Sequence, residues 1–420
     1  MDLDIINARL VTPTSPAKVG SPWAARLARG PAMGTLRIID GATISVRAGV
    51  IASVTDRPPA MAPHGVAPVR TIDAAGRVVV PGFVDCHTHA LWAGSRLDEW
   101  DLKRAGATYQ QIMAAGGGIM STVRAVREAS PEQLAANLRT NLGRMLAAGS
   151  TTIEVKSGYG LDLATELKML RAIAAASAGF AGTIVPTALL GHAIDDGGED
   201  ANAGSRFVER TIRETLPAIA SEFPGIAVDA FVEKGAWSVE QACALFERAA
   251  ELGLPIRVHT DQFTSLGMIA RAVALGARSC DHLEAATDAD LSLLAASPCA
   301  GVMLPACGFH LDGRYAPGRR FVASGGALAI ASNYNPGSAP CGSMAMIQAL
   351  AVRHLGLSPA EALTASTLNP AAVLNLTDRG TIEPGARADL LVLHQADERM
   401  ISWEAGLPPV AMVIAGGKQC

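Results

Sequence analysis

None of the seven cysteines, at positions 86, 243, 280, 299, 307, 341 and 420, forms a C-x-x-C pair or belongs to a closely spaced framework. Reduced thiols of a cytosolic protein are therefore expected. No uninterrupted apolar stretch reaches the roughly 18 residues that a membrane-spanning helix needs, so no membrane partner is expected. The opening segment, MDLDIINARLVT, has acidic residues where a secretion signal carries basic ones and then an apolar run, and a cytoplasmic location is expected. A basic excess is missing as well, with 35 Lys and Arg against 39 Asp and Glu, a formal net charge of -4. That balance argues against nucleic acid, and an acidic small molecule would need a local cationic group. What is present is 49% hydrophobic and 18% charged residues over 420 positions, the composition of a soluble globular protein with a large core.

The first eighty residues contain short, β-branched, turn-bounded segments, DIINARLVT, TLRIIDGATISVRAG and VIASVT, which read as antiparallel strands of a small sheet. A Pro/Gly/Ser-rich connection over residues 13–34 reads as a surface excursion. From about residue 80 the pattern alternates: TTIEV, TIVPTAL, IAVDAFV, LPIRVHT, ARSCDHL, AGVMLP and ALAIAS are buried-strand segments, each followed by a loop and a helical stretch. Ser130 with Gln133, Ser238 with Gln241 and Ser358 with Glu361 mark helix starts. Strand-like segments return in ADLLVL and VAMVIAG. The expected fold is α/β: a TIM-like (β/α)8 barrel over residues 79–375, with a small β-sandwich domain formed by both termini, residues 1–78 plus 376–420.

PGFVDCHTHALWAG places His87 and His89 two apart at the end of an apolar strand, where i and i+2 share a face. His259 in PIRVHTDQ and His282 in ARSCDHLE sit at the ends of further strands. One strand-end histidine is ordinarily structural. Four at the end of a barrel where active sites are built define one metal or catalytic site.

At these residues the chain resembles the imidazolonepropionase family of the amidohydrolase superfamily. The resemblance rests on PGFVDCHTH, the GGG of AAGGGIMSTVRA, VKSGYGLD, VHTDQ, DHLE and NPGSAP, spread over essentially the whole length. It implies a barrel hydrolase, a homodimer, a small carboxylated ring substrate, and one zinc or iron ion held by His87, His89, His259 and an aspartate. It also implies substrate contacts at Arg96, Tyr159, His192, Gln262, Asn335, Gly337 and Ser338. These types make chemical sense alone: an arginine fork and the donors of Asn-Pro-Gly-Ser suit a carboxylate, while Tyr, His and Gln read a polar ring.

The departure lies in AIASNYNPGSAP, where Asn333 stands at the position of the family's aspartate. An amide is neutral and cannot act as a base near neutral pH, so metal content is open and the site works with no metal or with one zinc or iron ion. Two further differences follow the seventh barrel strand, Cys307 and His310. Lys156 reads as an anchoring cation or only as a strand-end lysine, and the plain structural reading is favoured for it and for Cys307.

Three functions are carried forward. The first is a hydrolase acting between the nitrogens of a five-membered ring with a propionate arm, the desulfhydrase of 3-(5-oxo-2-thioxoimidazolidin-4-yl)propionate in the breakdown of thiolated histidine such as ergothioneine. Sulfide leaves more readily than a ring amide, so the loss of an aspartate is tolerable there. His282, or else His259 or Cys307, would handle the proton or form an adduct. The second is ordinary imidazolonepropionase, converting 4-imidazolone-5-propanoate to N-formimidoyl-glutamate with Asn333 as a weak ligand. The third is a non-catalytic metabolite binder.

Overall fold

The computed structural model describes residues 2–57, 69–107, 111, 117–195 and 202–420. Within them the apolar segments with turn-rich ends form two sheets. The terminal sheet holds β1 (Leu3–Pro13), β2 (Leu36–Arg47), β3 (Val50–Thr55), β4 (Arg70–Asp73) and β5 (Val78–Pro81) from the start of the chain. The second sheet follows with β6 (Phe83–Asp85), β7 (Ser150–Lys156), β8 (Thr183–Gly191), β9 (Ala227–Val232), β10 (Val258–Thr260), β11 (Ser279–His282), β12 (Ala300–Met303) and β13 (Leu328–Ile330). The chain then returns to the terminal sheet with β14 (Leu390–Leu393), β15 (Val410–Ala415) and β16 (Lys418–Gln419).

The second sheet runs β6 to β13 in chain order with every pairing parallel, and helices separate its strands. This is the expected barrel. Its closing seam is made just beyond the strand ends, where the Asn333 N–H donates to the His87 carbonyl at 2.9 Å and the His89 N–H to the Tyr334 carbonyl at 3.0 Å. The two stretches that carry the first histidine pair and the Asn-Pro-Gly-Ser loop are thereby held against each other. Helix starts follow the sequence signals: Ser130, Ser238 and Ser358 each form reciprocal capping boxes with Gln133, Gln241 and Glu361.

Three expectations need adjustment. The terminal strands form one mixed sheet rather than two facing ones, because β1 pairs antiparallel with β2 along one edge and parallel with β4 and β5 along the other. β5 pairs with β14, so the terminal unit extends to Pro81 and the boundary at residue 78 falls inside a strand. Residues 13–34 are more than a surface excursion. Arg26, Leu27, Ala28 and Met33 are buried, and the Asn369 side chain exchanges hydrogen bonds with both the N–H and the carbonyl of Ala28. A proline-rich composition marks turns but says nothing about whether a turn is covered.

Candidate active site

The C-terminal ends of the barrel strands bring the sequence-nominated side chains together. His87 and His89 follow β6, Tyr159 follows β7, His192 follows β8, His259 lies in β10 and His282 ends β11. Cys307 lies in the helix Pro305–His310 after β12, and Asn333 follows β13. The His87 ring lies 4.3 Å from His259 and 5.9 Å from His282, centroid to centroid. His89 stacks on His192 at 5.0 Å, and its Nε2 lies 3.4 Å from the Nε2 of His259. Tyr159 is buried, its ring 5.1 Å from that of His192.

Burial keeps His87, His89, His192 and His259 neutral. The pKa values of His87 and His89 are pushed well below the usual range, first by burial and then by Lys156 and His192 respectively. That of His192 is lowered to about 3, chiefly by burial. Burial also lowers that of His259, with Asp229 opposing. Each ring's free nitrogen follows from its fixed one: His87 Nδ1 meets Asp281 at 2.6 Å, His259 Nδ1 meets Asp229 at 3.1 Å, and His192 Nδ1 meets the Gly158 carbonyl at 2.9 Å. With Nδ1–H donating in each pair, Nε2 presents a lone pair.

Beneath the histidines lies a network that the sequence reading did not single out. Lys156, fully buried, bridges Glu154 at 2.7 Å and Asp229 at 2.8 Å, which settles it as an anchoring cation. Arg257 reaches Glu154 at 2.6 Å and Asp281 at 2.7 Å. Despite its burial, Asp229 is held well below the usual carboxylate range by His259 and Lys156. Two cations and three carboxylates thus fix the orientation of His87 and His259. The signal was available: charged residues inside otherwise apolar strands, spaced two apart as in Glu154/Lys156 and Arg257/His259, share a face and must be paired when buried.

Backbone strain gathers at the same strand ends. Asp261 (φ 55°), His282 (φ 86°), Leu283 (φ 73°) and Asn333 (φ 53°) all lie in the left-handed region, at a cost of about 1–3 kcal/mol each. Asn333 is 2% exposed, donates its side-chain N–H to Cys307 Sγ at 2.8 Å, and leaves its Oδ1 buried without a protein partner. Burial, then the charge of Glu284, raises the pKa of the Cys307 thiol, so it stays a neutral S–H. His282 Nδ1 meets Glu284 at 3.3 Å, and His282, Glu284 and Cys307 offer ligand-type atoms all within 4.8 Å of one another. Cys307 therefore lies against Asn333 and close to His282, together with Glu284, a residue the sequence reading had quoted but not assigned.

The expected carboxylate contacts divide. Asn335 spends its side chain on its own loop, with Oδ1 accepting from Gly337 N–H at 2.8 Å and Ser338 N–H at 2.7 Å and Nδ2 donating to Ser338 Oγ at 2.9 Å. It builds the turn. Arg96 packs on Gly337, where an added Cβ would stand 2.8 Å from Nη1. Arg96 and Gly337 help to line a cleft of about 440 Å³ with Trp92, Trp100, His310 and Pro336. Gln262 is buried beside the histidine-bearing β10, and its carbonyl accepts from Arg314 at 2.9 Å. Of the glycines in AAGGGIM, Gly116 lies outside the described residues.

The donor set fits one metal ion. His87, His259 and His282 bring one nitrogen each within 4.8 Å of one another, and His87 Nε2 is buried with no protein partner. This trio includes His282 where the sequence resemblance implies His89, which instead meets His259 and His192. A carboxylate meets Nδ1 of each of the three rings His87, His259 and His282, namely Asp281, Asp229 and Glu284 respectively. Asn333 adds only a neutral oxygen.

Residues 78–420 match the model of the amidohydrolase family. The imidazolonepropionase of Deinococcus radiodurans is 44% identical over 393 residues, covering 93% of this chain and 95% of that protein. The imidazolonepropionase of Herpetosiphon aurantiacus is 43% identical over 399 residues, covering 93% and 92%. Among solved structures, 5-methylcytosine deaminase from Klebsiella pneumoniae superposes with a TM-score of 0.70 at 19% identity, covering 99% of this chain and 96% of that one. That likeness is one of fold. Among the described residues, no helix is long and apolar enough to cross a membrane.

Proposed function

The chain is an imidazolonepropionase-like hydrolase of the amidohydrolase family, and from that premise we propose that it hydrolyses a five-membered N–C–N ring with a propionate arm, the favoured substrate being 3-(5-oxo-2-thioxoimidazolidin-4-yl)propionate. The observation that carries this choice is the Asn333–Cys307 contact at 2.8 Å. Where a carboxylate would collect a proton, this site presents an amide N–H and a neutral, polarizable thiol. Such a wall suits the sulfur of a ring C=S and offers nothing to a developing ammonium or amide leaving group.

The chain's own residues account for the steps. Tyr159, His192 and Gln262 line the ring's polar edge, and the Arg96 cleft receives the arm. Water adds to the carbon between the two nitrogens, and His282, steadied by Glu284 at 3.3 Å, takes its proton. That proton passes to sulfur, and as the C–S bond breaks the remaining hydroxyl proton leaves the oxygen through His282 to the departing hydrosulfide, so C=S and water become C=O and hydrogen sulfide, leaving the hydantoin propionate. A divalent ion, when bound by His87, His259 and His282, would supply Lewis acidity and a more acidic water, and would engage the His282 nitrogen that serves as the base without it.

The test is incubation of purified protein with the thioxo ring, with sulfide measured colorimetrically and the hydantoin product by mass. Multiple turnovers with stoichiometric sulfide support the reading. The names of the relatives favour a second reading, imidazolonepropionase itself. Formation of N-formimidoyl-glutamate from imidazolone propionate, with no sulfide from the thioxo ring, would establish it and sink the first.

A further inference from the structure

The cleft at the barrel mouth carries a charge that its arginine does not provide. Arg96 is already paired: its Nε lies 2.5 Å and its Nη2 2.6 Å from the two oxygens of Glu99. Glu99 is itself held by the Gly118 N–H at 3.1 Å and the Ser121 hydroxyl at 3.0 Å, so Arg96 and Glu99 form a fixed unit with no net charge. Lys103 lies one turn further along the helix Leu97–Arg104 and lines the same cleft as Arg96, Trp100 and His310. Its ammonium has no hydrogen bond or ion pair among the described residues. Burial, then the nearby Arg96, lowers its pKa, with the charge of Glu99 opposing. His310, stacked on Trp100 at 4.7 Å, is kept neutral by burial and by Lys103, so it adds no charge.

We propose that Lys103 supplies the net positive charge by which this cleft selects a ring with an anionic arm, while Arg96, locked by Glu99 and with its Nη1 on the Thr122 hydroxyl at 3.5 Å, supplies shape. The inference rests on the ring-hydrolase reading above. A lysine in the last turn of a helix also complements the helix dipole. That role acts on stability and is indifferent to the charge of a ligand, which separates the two.

The experiment is isothermal titration of the parent, K103M and K103R with hydantoin propionate and with its neutral propionamide. The parent is expected to prefer the acid. K103M should lose roughly tenfold or more in affinity for the acid, in line with a partly desolvated charge-assisted contact, and stay within about twofold for the amide. K103R should recover most of the loss, and added salt should weaken the acid alone. Equal affinity of the parent for acid and amide, or equal losses for both in K103M, overturns the role of Lys103 and leaves the ring reading standing. Failure of the parent to bind either ligand overturns the ring reading and this inference together.

Discussion

Replacing Asn333 with Asp changes one atom and no volume, yet it reverses the chemistry of the buried contact with Cys307. Asn333 is 2% exposed, and its N–H reaches the sulfur at 2.8 Å. The variant loses that donor and buries a carboxylate beside the neutral Cys307 thiol, where the orphaned Oδ1 already lacks a partner. An unsatisfied buried polar group costs about 1–3 kcal/mol, and a charged one more, so the metal-free variant should melt several degrees below the parent. A carboxylate is also the charged ligand that His87, His259 and His282 lack. Zinc at about 100 times its Kd should return about 2.7 kcal/mol to the variant, and less to the parent at the same concentration. If the Asn333 N–H steadies negative charge on the departing sulfur, sulfide release should fall by about 10²–10³, the usual cost of losing such a donor. Differential scanning calorimetry of chelator-treated protein, with and without zinc, and the sulfide assay read these effects separately. Identical zinc responses in parent and variant, together with unchanged sulfide release, would refute the reasoning about this position.

Three further outcomes are expected. R257M leaves Glu154 and Asp281 buried without their shared cation and should cost about 3–5 kcal/mol, measured by urea unfolding; a loss under 1 kcal/mol would mean that the network does not hold the site. G337A drives a methyl group to 2.8 Å from Arg96 Nη1 and should raise KM for the acidic ring well above its effect on kcat, in steady-state kinetics. His192 is lowered to about 3 in the folded protein against about 6.5 unfolded, so its contribution is present above the unfolded value and lost as pH falls through it toward 3. The loss is about 2 kcal/mol at pH 5, and H192Q should flatten the melting temperature between pH 7 and 5 by that amount; a parallel curve would contradict the burial argument.

Strand-end histidines, capping boxes and alternating apolar segments are local features, and they placed the barrel and its helix starts and nominated candidate site residues without coordinates. They work because a strand's two-residue period and a helix cap are fixed by neighbours in sequence. The amide at 333 was visible for the same reason. What the amide touches was not: its partner Cys307 lies 26 residues away on the preceding strand's helix, and only barrel closure brings them together. The sequence likewise showed Glu154, Lys156, Asp229, Arg257 and Asp281 as charges within apolar strands but could not pair them, since pairing depends on strand order and register. The structure also showed two pairings within three residues in sequence, Asn335 with Gly337 and Ser338 and Arg96 with Glu99, and left Lys103 without a hydrogen bond or ion pair among the described residues. Residue types determined which chemistry was available here. Distances across the barrel, set by long-range packing, decided which groups are already spent on one another and which are free for a substrate.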